Sequence, residues 1–181
     1  MLEPVKNVHR LLPAIRDVLD DYSDLRACIA GNGSQQTLLR NMAGSDGRIE
    51  FTGWIDSFEV RERLRRTAVF ISGTPTEALG IAYVEALSQG CAVTMPASGG
   101  SLELALETIG SGVQLFSLDL ERSSVVSALR KALSHPPAPF PVERFAPSAI
   151  ALRFLEADTR FSSDGRFRVD ERTENGRWSH P

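Results

Sequence analysis

Short apolar runs alternate with helix-like segments along most of this chain. The runs are apolar at consecutive positions, as expected of strands buried on both faces of a parallel sheet. They lie at residues 25–30, 49–52, 68–72, 91–95 and 113–116. This alternation predicts an α/β fold: a Rossmann-like, doubly wound parallel sheet with helices on both faces.

Helical periodicity and cap residues place the segments between these runs. Apolar residues spaced as in an amphipathic helix follow Asn7, which is a plausible N-cap, and Pro13 is a candidate kink. Ser57 is the expected cap of the third helix. The predicted helices cover residues 8–22, 34–43, 58–66, 80–89, 101–108, 123–135 and 147–156.

Length and composition limit the domain organisation and the compartment. A chain of 181 residues with 42% hydrophobic content can bury one sizeable core, so we predict one domain over 1–158. A loosely ordered, flexible tail is expected over 159–181. No apolar run approaches the ~20 residues of a membrane span and no signal peptide is visible, which favours a cytoplasmic protein. Cys28 and Cys91 are expected to be buried, reduced thiols.

The charge pattern and the histidines exclude several kinds of chemistry. The net charge is −3 and the charges of both signs are interspersed, so we expect no nucleic-acid partner. The three histidines form no nucleophile–base arrangement, and no His, Cys or Asp cluster has metal-ligand spacing, so we expect no metal.

Three loops rich in small residues follow predicted strands. They cover residues 31–34, 72–80 and 96–100. Ligands of doubly wound sheets bind outside the carboxyl ends of the strands. Glycine permits close backbone approach, and a helix N-terminus carries about half a positive charge, so each loop could bind an anion.

The stretch E77-A-L-G-I-A-Y-V-E85 has two interpretations. Glu77 and Glu85 could be ordinary helix-surface carboxylates. Alternatively, the amides of residues 80–82 bind a phosphate, Glu85 reaches a polyol such as a ribose, and Glu77 meets the group beyond the phosphates. The apolar neighbours of Glu85 favour the second interpretation, because a carboxylate desolvated in an apolar helix needs a partner. Glu103, after the Gly-Gly turn, could equally interact only with its own helix N-terminus.

Several pieces taken in order resemble the C-terminal, donor-binding half of glycosyltransferase family 4 enzymes (glycosyl transferases group 1). The match extends over residues 2 to about 135. The pieces are L2-E-P-V-K-N7, I29-A-G-N-G33, I49-E-F-T-G53, F70-I-S-G-T-P-T-E-A-L-G-I-A-Y-V-E-A86, G90-C-A-V and G99-G-S-L-E103.

The resemblance implies a GT-B fold and a mostly retaining transferase that uses a nucleotide-diphosphate sugar without a metal or other cofactor. It implies that Glu77 is catalytic and contacts the donor sugar, that Glu85 binds the ribose, and that Lys6 meets the phosphates as a point charge. The remaining donor-binding residues that it implies are Gly80, Ile81 and Ala82 at the diphosphate, Gly53, Trp54 and Ile55 near the base, and Gly99, Gly100 and Glu103 near the sugar.

The chain departs from the family pattern at its start. That pattern usually begins with a strand followed by G-R-L-x-P-x-K, whereas this sequence starts at Met1-Leu2. The strand, the glycine and the phosphate-binding arginine are therefore absent from the 181 residues, as is an N-terminal acceptor domain. Because that strand would be central in the sheet, we expect its neighbours to have exposed backbone and apolar surface.

The expected function is accordingly the donor-binding part of a retaining hexosyltransferase-type glycosyltransferase, incomplete as this chain, with roles such as polysaccharide biosynthesis. Its partners would be a nucleotide sugar and, through the missing domain, a sugar or glycan acceptor. Peripheral membrane association of the full enzyme stays open. Two alternatives also remain: a non-catalytic nucleotide- or partner-binding module, and a sugar-nucleotide epimerase of the same architecture.

Overall fold

A computed structural model of the chain describes residues 1–75, 81–98, 101, 102, 105, 112–135 and 140. Residues 1–140 belong to one compact unit. Within the described ranges, a short 3-10 turn at Pro4–Lys6 precedes α1. The helices are α1 (Val8–Asp21), α2 (Gln36–Ala43), α3 (Ser57–Leu64), α4 (Ile81–Ser88) and α5 (Arg122–Ser134). The strands are β1 (Ala27–Ala30), β2 (Ile49–Gly53), β3 (Val69–Ile71), β4 (Ala92–Pro96) and β5 (Val113–Phe116). Ser101, Leu102 and Ala105 are also helical.

The described strands form two parallel sheets rather than one. The first has the order β1-β2 and the second β3-β4-β5. In the first, Ala27 lies opposite Ile49; in the second, Val69 lies opposite Ala92. The predicted α/β class with parallel strands is confirmed. Among the described residues, no strand pairs with the outer edge of β1 or of β3.

Helix α1 connects the cores of the two sheets. One face of α1 packs with β5 and α5 through Leu11, Val18, Phe116 and Val125. An adjoining face of α1 packs with β1, β2 and α2 through residues that include Leu12, Leu19, Ile29, Leu39 and Ile49. Ile15 and Leu25 contact both clusters, so the two sheets share one continuous layer of apolar side chains.

Helices cover both faces of the second sheet, as predicted. Val69 and Ile71 pack against the cluster formed by α1 and α5. Phe70, between them, points to the other face because side chains alternate along a strand. There its ring meets Tyr83 of α4 at 6.1 Å, edge to face.

The helix caps differ from those expected. Asp56, not Ser57, caps α3, because its carboxylate lies one residue earlier and accepts the N–H of Glu59 at 2.8 Å. Asn7 precedes α1, but with φ +52° and without a side-chain cap bond. Pro13 lies inside α1, which continues through it.

The prediction that both cysteines are buried is wrong for Cys28. Cys91 is buried, whereas Cys28 is exposed on β1. The physical reason is that β1 is an edge strand among the described residues, so its side chains are less enclosed than those of a central strand. Arg63 of α3 contacts Cys28, with its Nη1 3.5 Å from Sγ. The predicted helix 147–156, the boundary at 158 and the tail 159–181 lie outside the described residues.

Candidate functional site

The loops that follow the strands lie at the carboxyl ends of two parallel sheets. Residues 31–34 follow β1, 54–56 follow β2, 72–75 follow β3, and 97–98 follow β4. Strands that run in the same direction end at the same edge, which is where ligands of α/β folds bind. The candidate site is therefore built from these loops and from the segments that contact them.

Residues 1–7, here called the amino-terminal segment, contact the loop after β1. The N–H of Leu2 donates to the carbonyl of Asn32 at 2.8 Å, and the carbonyl of Leu2 accepts from Gln35 N–H at 3.1 Å. Glu3 accepts two bonds from Ser34, from its N–H at 3.2 Å and its hydroxyl at 2.6 Å. These bonds from Ser34 hold the pKa of Glu3 below its usual value.

The other end of the same segment contacts the loop after β3. Asn7 donates from Nδ2 to the carbonyl of Gly73 at 2.9 Å. A Cβ at position 73 would lie only 2.9 Å from the Lys6 carbonyl, so this close approach requires glycine. The main chain of the half-buried Lys6 therefore lies beside the loop that leads towards α4, and its predicted contact with a phosphate stays a prediction.

The stretch predicted to border a nucleotide base ends β2 and turns outward. Gly53 has φ +71°, a conformation that favours glycine, and its carbonyl accepts the N–H of Gly31 at 2.7 Å. This bond joins the loops after β1 and β2. Trp54 is 75% exposed and Ile55 is half-buried. An indole exposed to this extent at the edge of a ligand-binding fold is available for stacking.

Helix α4 presents three predicted contacts on its exposed side. Tyr83, Ala86 and Leu87 are buried. Ile81, which is 74% exposed, lies one turn before Glu85, and Ala82 is exposed next to Ile81. Positions four apart share a helix face, so Ile81 and Glu85 point the same way.

The expectation that Glu85 is desolvated by its apolar neighbours is wrong. Glu85 is exposed, because the apolar residues of α4 are buried on the opposite side and leave its carboxylate in water. Its exposure leaves both interpretations of the sequence open: a solvated surface carboxylate, or a carboxylate accessible to a ligand.

Five predicted site residues lie outside the described residues: Glu77, Gly80, Gly99, Gly100 and Glu103. The residues beside the Gly-Gly pair are described. Ser101 Oγ accepts the N–H of Ser98 at 2.7 Å and donates to the carbonyl of Pro96 at 2.5 Å. These bonds fix the two ends of the loop after β4.

Asn7 and Glu3 are the site components that the spacing of residues did not reveal. Each holds the amino-terminal segment to a loop: Asn7 to residue 73, 66 positions away, and Glu3 to residue 34, 31 positions away. The one signal in the sequence was that Asn7 and Gly73 both lie in loops. Asparagine is among the few residues other than glycine that tolerate positive φ, which marks Asn7 as a residue suited to a turn. That signal does not identify a partner.

The described ranges also contain a hollow whose lining includes no predicted site residue. A hollow of about 470 Å³ is lined by α1 and α5 residues, including Asp17, Arg122 and Arg130. The residues that the structure describes contain no group of three or more His, Cys, Asp and Glu side chains suited to a metal ion. No helix within those ranges has the length and apolarity needed to cross a membrane.

Residues 1–137 match the sequence model of the family of glycosyl transferases group 1. The match covers most of the chain and includes the amino-terminal segment, the five described strands and α4. This chain belongs to that family, in agreement with the resemblance found in its sequence.

A curated relative and two solved structures illustrate the similarity. Alpha-monoglucosyldiacylglycerol synthase of Streptococcus pneumoniae is 30% identical over 91 residues, which are 49% of this chain and 21% of the relative. The C-terminal domain of a glycosyl transferase group 1 family protein (LpcC) from Francisella tularensis superposes with a TM-score of 0.64 at 19% identity, over 80% of this chain and 81% of that one. Anabaena Alr3699/HepE in complex with UDP and glucose gives 0.62 at 18% identity, over 87% and 45%.

These structural similarities establish the fold, which is that of one half of GT-B glycosyltransferases. The chain spans about a fifth of the length of the curated relative and under half of HepE. It aligns over most of a structure that is itself a C-terminal domain.

Proposed function

We propose that this chain binds a nucleotide-diphosphate sugar at the carboxyl edge of its strands and is the donor-binding part of a retaining glycosyltransferase. The observation that carries the proposal is the position of the amino-terminal segment. It places Lys6 against Gly73, in the loop that leads towards α4, whose exposed side carries Ile81, Ala82 and Glu85.

A diphosphate fits the charges expected at this edge. The first turn of α4 offers main-chain N–H groups and the positive end of a helix dipole. Lys6 adds a full charge on a flexible stem, which suits a phosphate better than a directional contact. Together these groups would neutralise a diphosphate without a metal ion.

With the diphosphate at the first turn of α4, the nucleoside would lie near Glu85 and Trp54. Glu85 lies one turn beyond Ile81 on the same side of α4, within reach of a ribose whose phosphates rest on the helix N-terminus. Ribose hydroxyls are donors, and a carboxylate accepts their hydrogen bonds. The exposed indole of Trp54, at the end of β2, is available to a base. That HepE was solved with UDP and glucose supports the choice of a nucleotide sugar.

In the proposed reaction the enzyme holds the leaving diphosphate while an acceptor hydroxyl attacks the sugar from the same face. Glu77 is proposed to contact the donor sugar, and Gly99, Gly100 and Glu103 to border it. The acceptor would be bound by a domain that is not among these 181 residues.

Calorimetric titration of the 181-residue chain with UDP, GDP, ADP and their sugars tests the binding. One nucleotide should bind, and Glu85→Ala should weaken it roughly 10- to 100-fold, the effect of losing hydrogen bonds to a charged group. Lys6→Ala should weaken it by about tenfold, with a steeper loss at low salt. Glu77→Ala should leave nucleotide affinity unchanged and remove the extra affinity contributed by the sugar.

Two substitutions serve as matched controls. Lys131→Ala removes the chain's other lysine, and Glu121→Ala removes an exposed glutamate at the start of α5. Neither should change nucleotide affinity. Absence of binding for every nucleotide, or equal effects of the site and control substitutions, would refute the proposal.

A second candidate is a nucleotide-binding module without transfer activity. It shares the nucleotide-binding step with the first proposal and differs from it in the role of Glu77. Nucleotide binding in which Glu77→Ala has no effect on the affinity for the sugar donor would favour this candidate.

A further inference from the structure

The outward side of α3 carries an exposed aromatic ring among charged side chains. Residues spaced at i, i+3, i+4 and i+7 share one side of a helix, here called the α3 face: Phe58, Arg61, Glu62 and Arg65. Arg65 follows α3 directly and keeps helical φ and ψ angles of −58° and −21°. The other side of α3 faces the core through the buried Leu64. Phe58 is 67% exposed, so a large apolar ring is available to a partner.

The charges of α3 differ between its two ends. Asp56 and Glu59 lie at its start, where the Asp56 carboxylate accepts the N–H of Glu59 at 2.8 Å. Arg65 and Arg66 follow its last residue. A helix that is acidic at one end and basic at the other attracts a second copy of itself in the antiparallel direction and repels a parallel copy. The helix is therefore self-complementary, as an interface between identical subunits about a two-fold axis must be.

The bonds within the chain leave charged groups of the α3 face available to a partner. Arg61 donates from Nε to the carbonyl of Ser57 at 3.2 Å and forms no ion pair among the described residues. Glu62 pairs with Arg65 through its Oε1 atom. The guanidinium of Arg61 and the second oxygen of Glu62 can thus each bind an opposite charge from outside.

We propose that the α3 face is a homodimer interface, in which two copies of the chain pack their α3 helices antiparallel about a two-fold axis. With the axis between residues 61 and 62, Arg61 lies opposite the partner subunit's Glu62. In the same register, Phe58 lies opposite the partner subunit's Arg65, whose guanidinium rests on the ring as a cation–π pair. The two-fold axis makes each of these contacts twice.

The size of the α3 face makes this dimer weak and dependent on concentration. A helix of eight residues is about 12 Å long. A contact of that length buries less than the ~1,200 Å² of a stable interface, so it belongs to the weak and transient class. The charges still select one arrangement, because a parallel pair would place Arg61 opposite the partner subunit's Arg61.

Analytical ultracentrifugation of the 181-residue chain tests the interface. The chain should convert reversibly from monomer to dimer between about 10 µM and about 1 mM. Arg61→Glu makes acidic side chains face each other, and Glu62→Arg does the same with basic ones. Each should weaken dimerisation at least roughly tenfold. Phe58→Ala should weaken it by about threefold to tenfold, through loss of the cation–π pair.

Two combinations of these substitutions distinguish the interface from a general effect of charge. The double variant Arg61→Glu/Glu62→Arg exchanges the two charges and should dimerise as the wild-type chain does. An equimolar mixture of the two single variants should form heterodimers, because every acidic position then faces a basic one. Lys131→Glu is the matched control, since it makes the same change of charge at an exposed position of α5. It should leave dimerisation unchanged.

Dimerisation that is lost in each single variant and recovered in the double variant and in the mixture is the expected result. A wild-type chain that stays monomeric over the whole concentration range would overturn the proposal and leave the α3 face to another partner. A dimer that resists both charge reversals would place the interface elsewhere on the surface, which also overturns it. So would a double variant and a mixture that both stay monomeric.

Discussion

At the scale of single residues, Arg48 connects the end of α1 to the turn before β2. Its guanidinium donates to the carbonyl of Leu19 at 2.7 Å and to the carboxylate of Asp20 at 2.7 Å. It also forms two bonds with Asp46, at 3.0 and 2.9 Å, and Asp46 accepts the N–H of Arg48 as well. This arrangement lowers the pKa of Asp46 from 3.8 to about 2.

The Asp46 pKa predicts how stability depends on acid. Because the folded pKa lies below the unfolded one, the folded state binds fewer protons, and the contribution is complete above about pH 4 and lost as pH falls towards 2. Urea unfolding at several pH values should show that the stability difference between the wild-type chain and Asp46→Asn is constant near neutral pH. The difference should shrink between pH 4 and 2.

Asp24→Asn is the control for this experiment, because Asp24 is an exposed aspartate that accepts a long hydrogen bond from the Ser23 hydroxyl, at 3.4 Å. It should leave the acid dependence of the wild-type chain unchanged. A constant difference between wild type and Asp46→Asn across the whole pH range would show that the Arg48 contacts do not lower the Asp46 pKa.

At the scale of elements, the amino-terminal segment depends on close approach to the loop after β1. A Cβ at Gly33 would lie 2.5 Å from the main-chain N and O of Leu2, a distance at which backbone must move. Gly33→Ala should therefore destabilise the fold by about 1–3 kcal/mol, as overpacking does, and loosen the segment that carries Lys6. Chemical denaturation measures the first effect, and hydrogen exchange at Leu2 and Gln35 measures the second.

Gly47 offers a matched control for Gly33. A Cβ there meets nothing within 4 Å. Gly47→Ala should be neutral or stabilise by up to about 1 kcal/mol through the unfolded state. If the two substitutions cost the same, the contact between Gly33 and Leu2 does not hold the segment in place.

Helices and strands could be predicted from the sequence where a short run of neighbouring residues determines them. The fifth strand was predicted at 113–116, and the second at 49–52 extends one residue further, to Gly53. Cap chemistry was less predictable, because Asp56 and Ser57 are adjacent and either could cap α3. Contacts between distant segments could not be predicted: Asn7 binds Gly73, and the exposure of Cys28 depends on whether β1 has a neighbour on each side.

The candidate site was predictable mainly through the order of its motifs. The family assignment made from those motifs is confirmed by the match over residues 1–137. The physical argument for Glu85 was wrong, since helical residues next to one another in sequence lie on different faces and apolar neighbours do not imply burial. The roles of Lys6, Glu77 and Glu85 stay predictions.

At the scale of the whole molecule, one helix packs against two sheets that, among the described residues, are not paired with each other. Leu12 is 1% exposed and packs in the cluster of β1, β2 and α2, while Leu11, the residue before it, packs in the cluster of β5 and α5. Ile15 and Leu25 contact both clusters. Within the part of the chain that the structure describes, no strand pairing joins the two sheets, and α1 couples them through side-chain packing.

Leu12→Ala tests this coupling. Loss of a buried leucine should lower the free energy of unfolding by about 2–5 kcal/mol. Because α1 is shared, the loss should be the same for amides of β2 and of β4, measured by hydrogen exchange at Phe51 and Val93. Leu38→Ala, at a leucine that is 47% exposed on α2, should change both by less than about 0.5 kcal/mol. A loss confined to Phe51 would mean that the two sheets unfold separately and that α1 does not couple them.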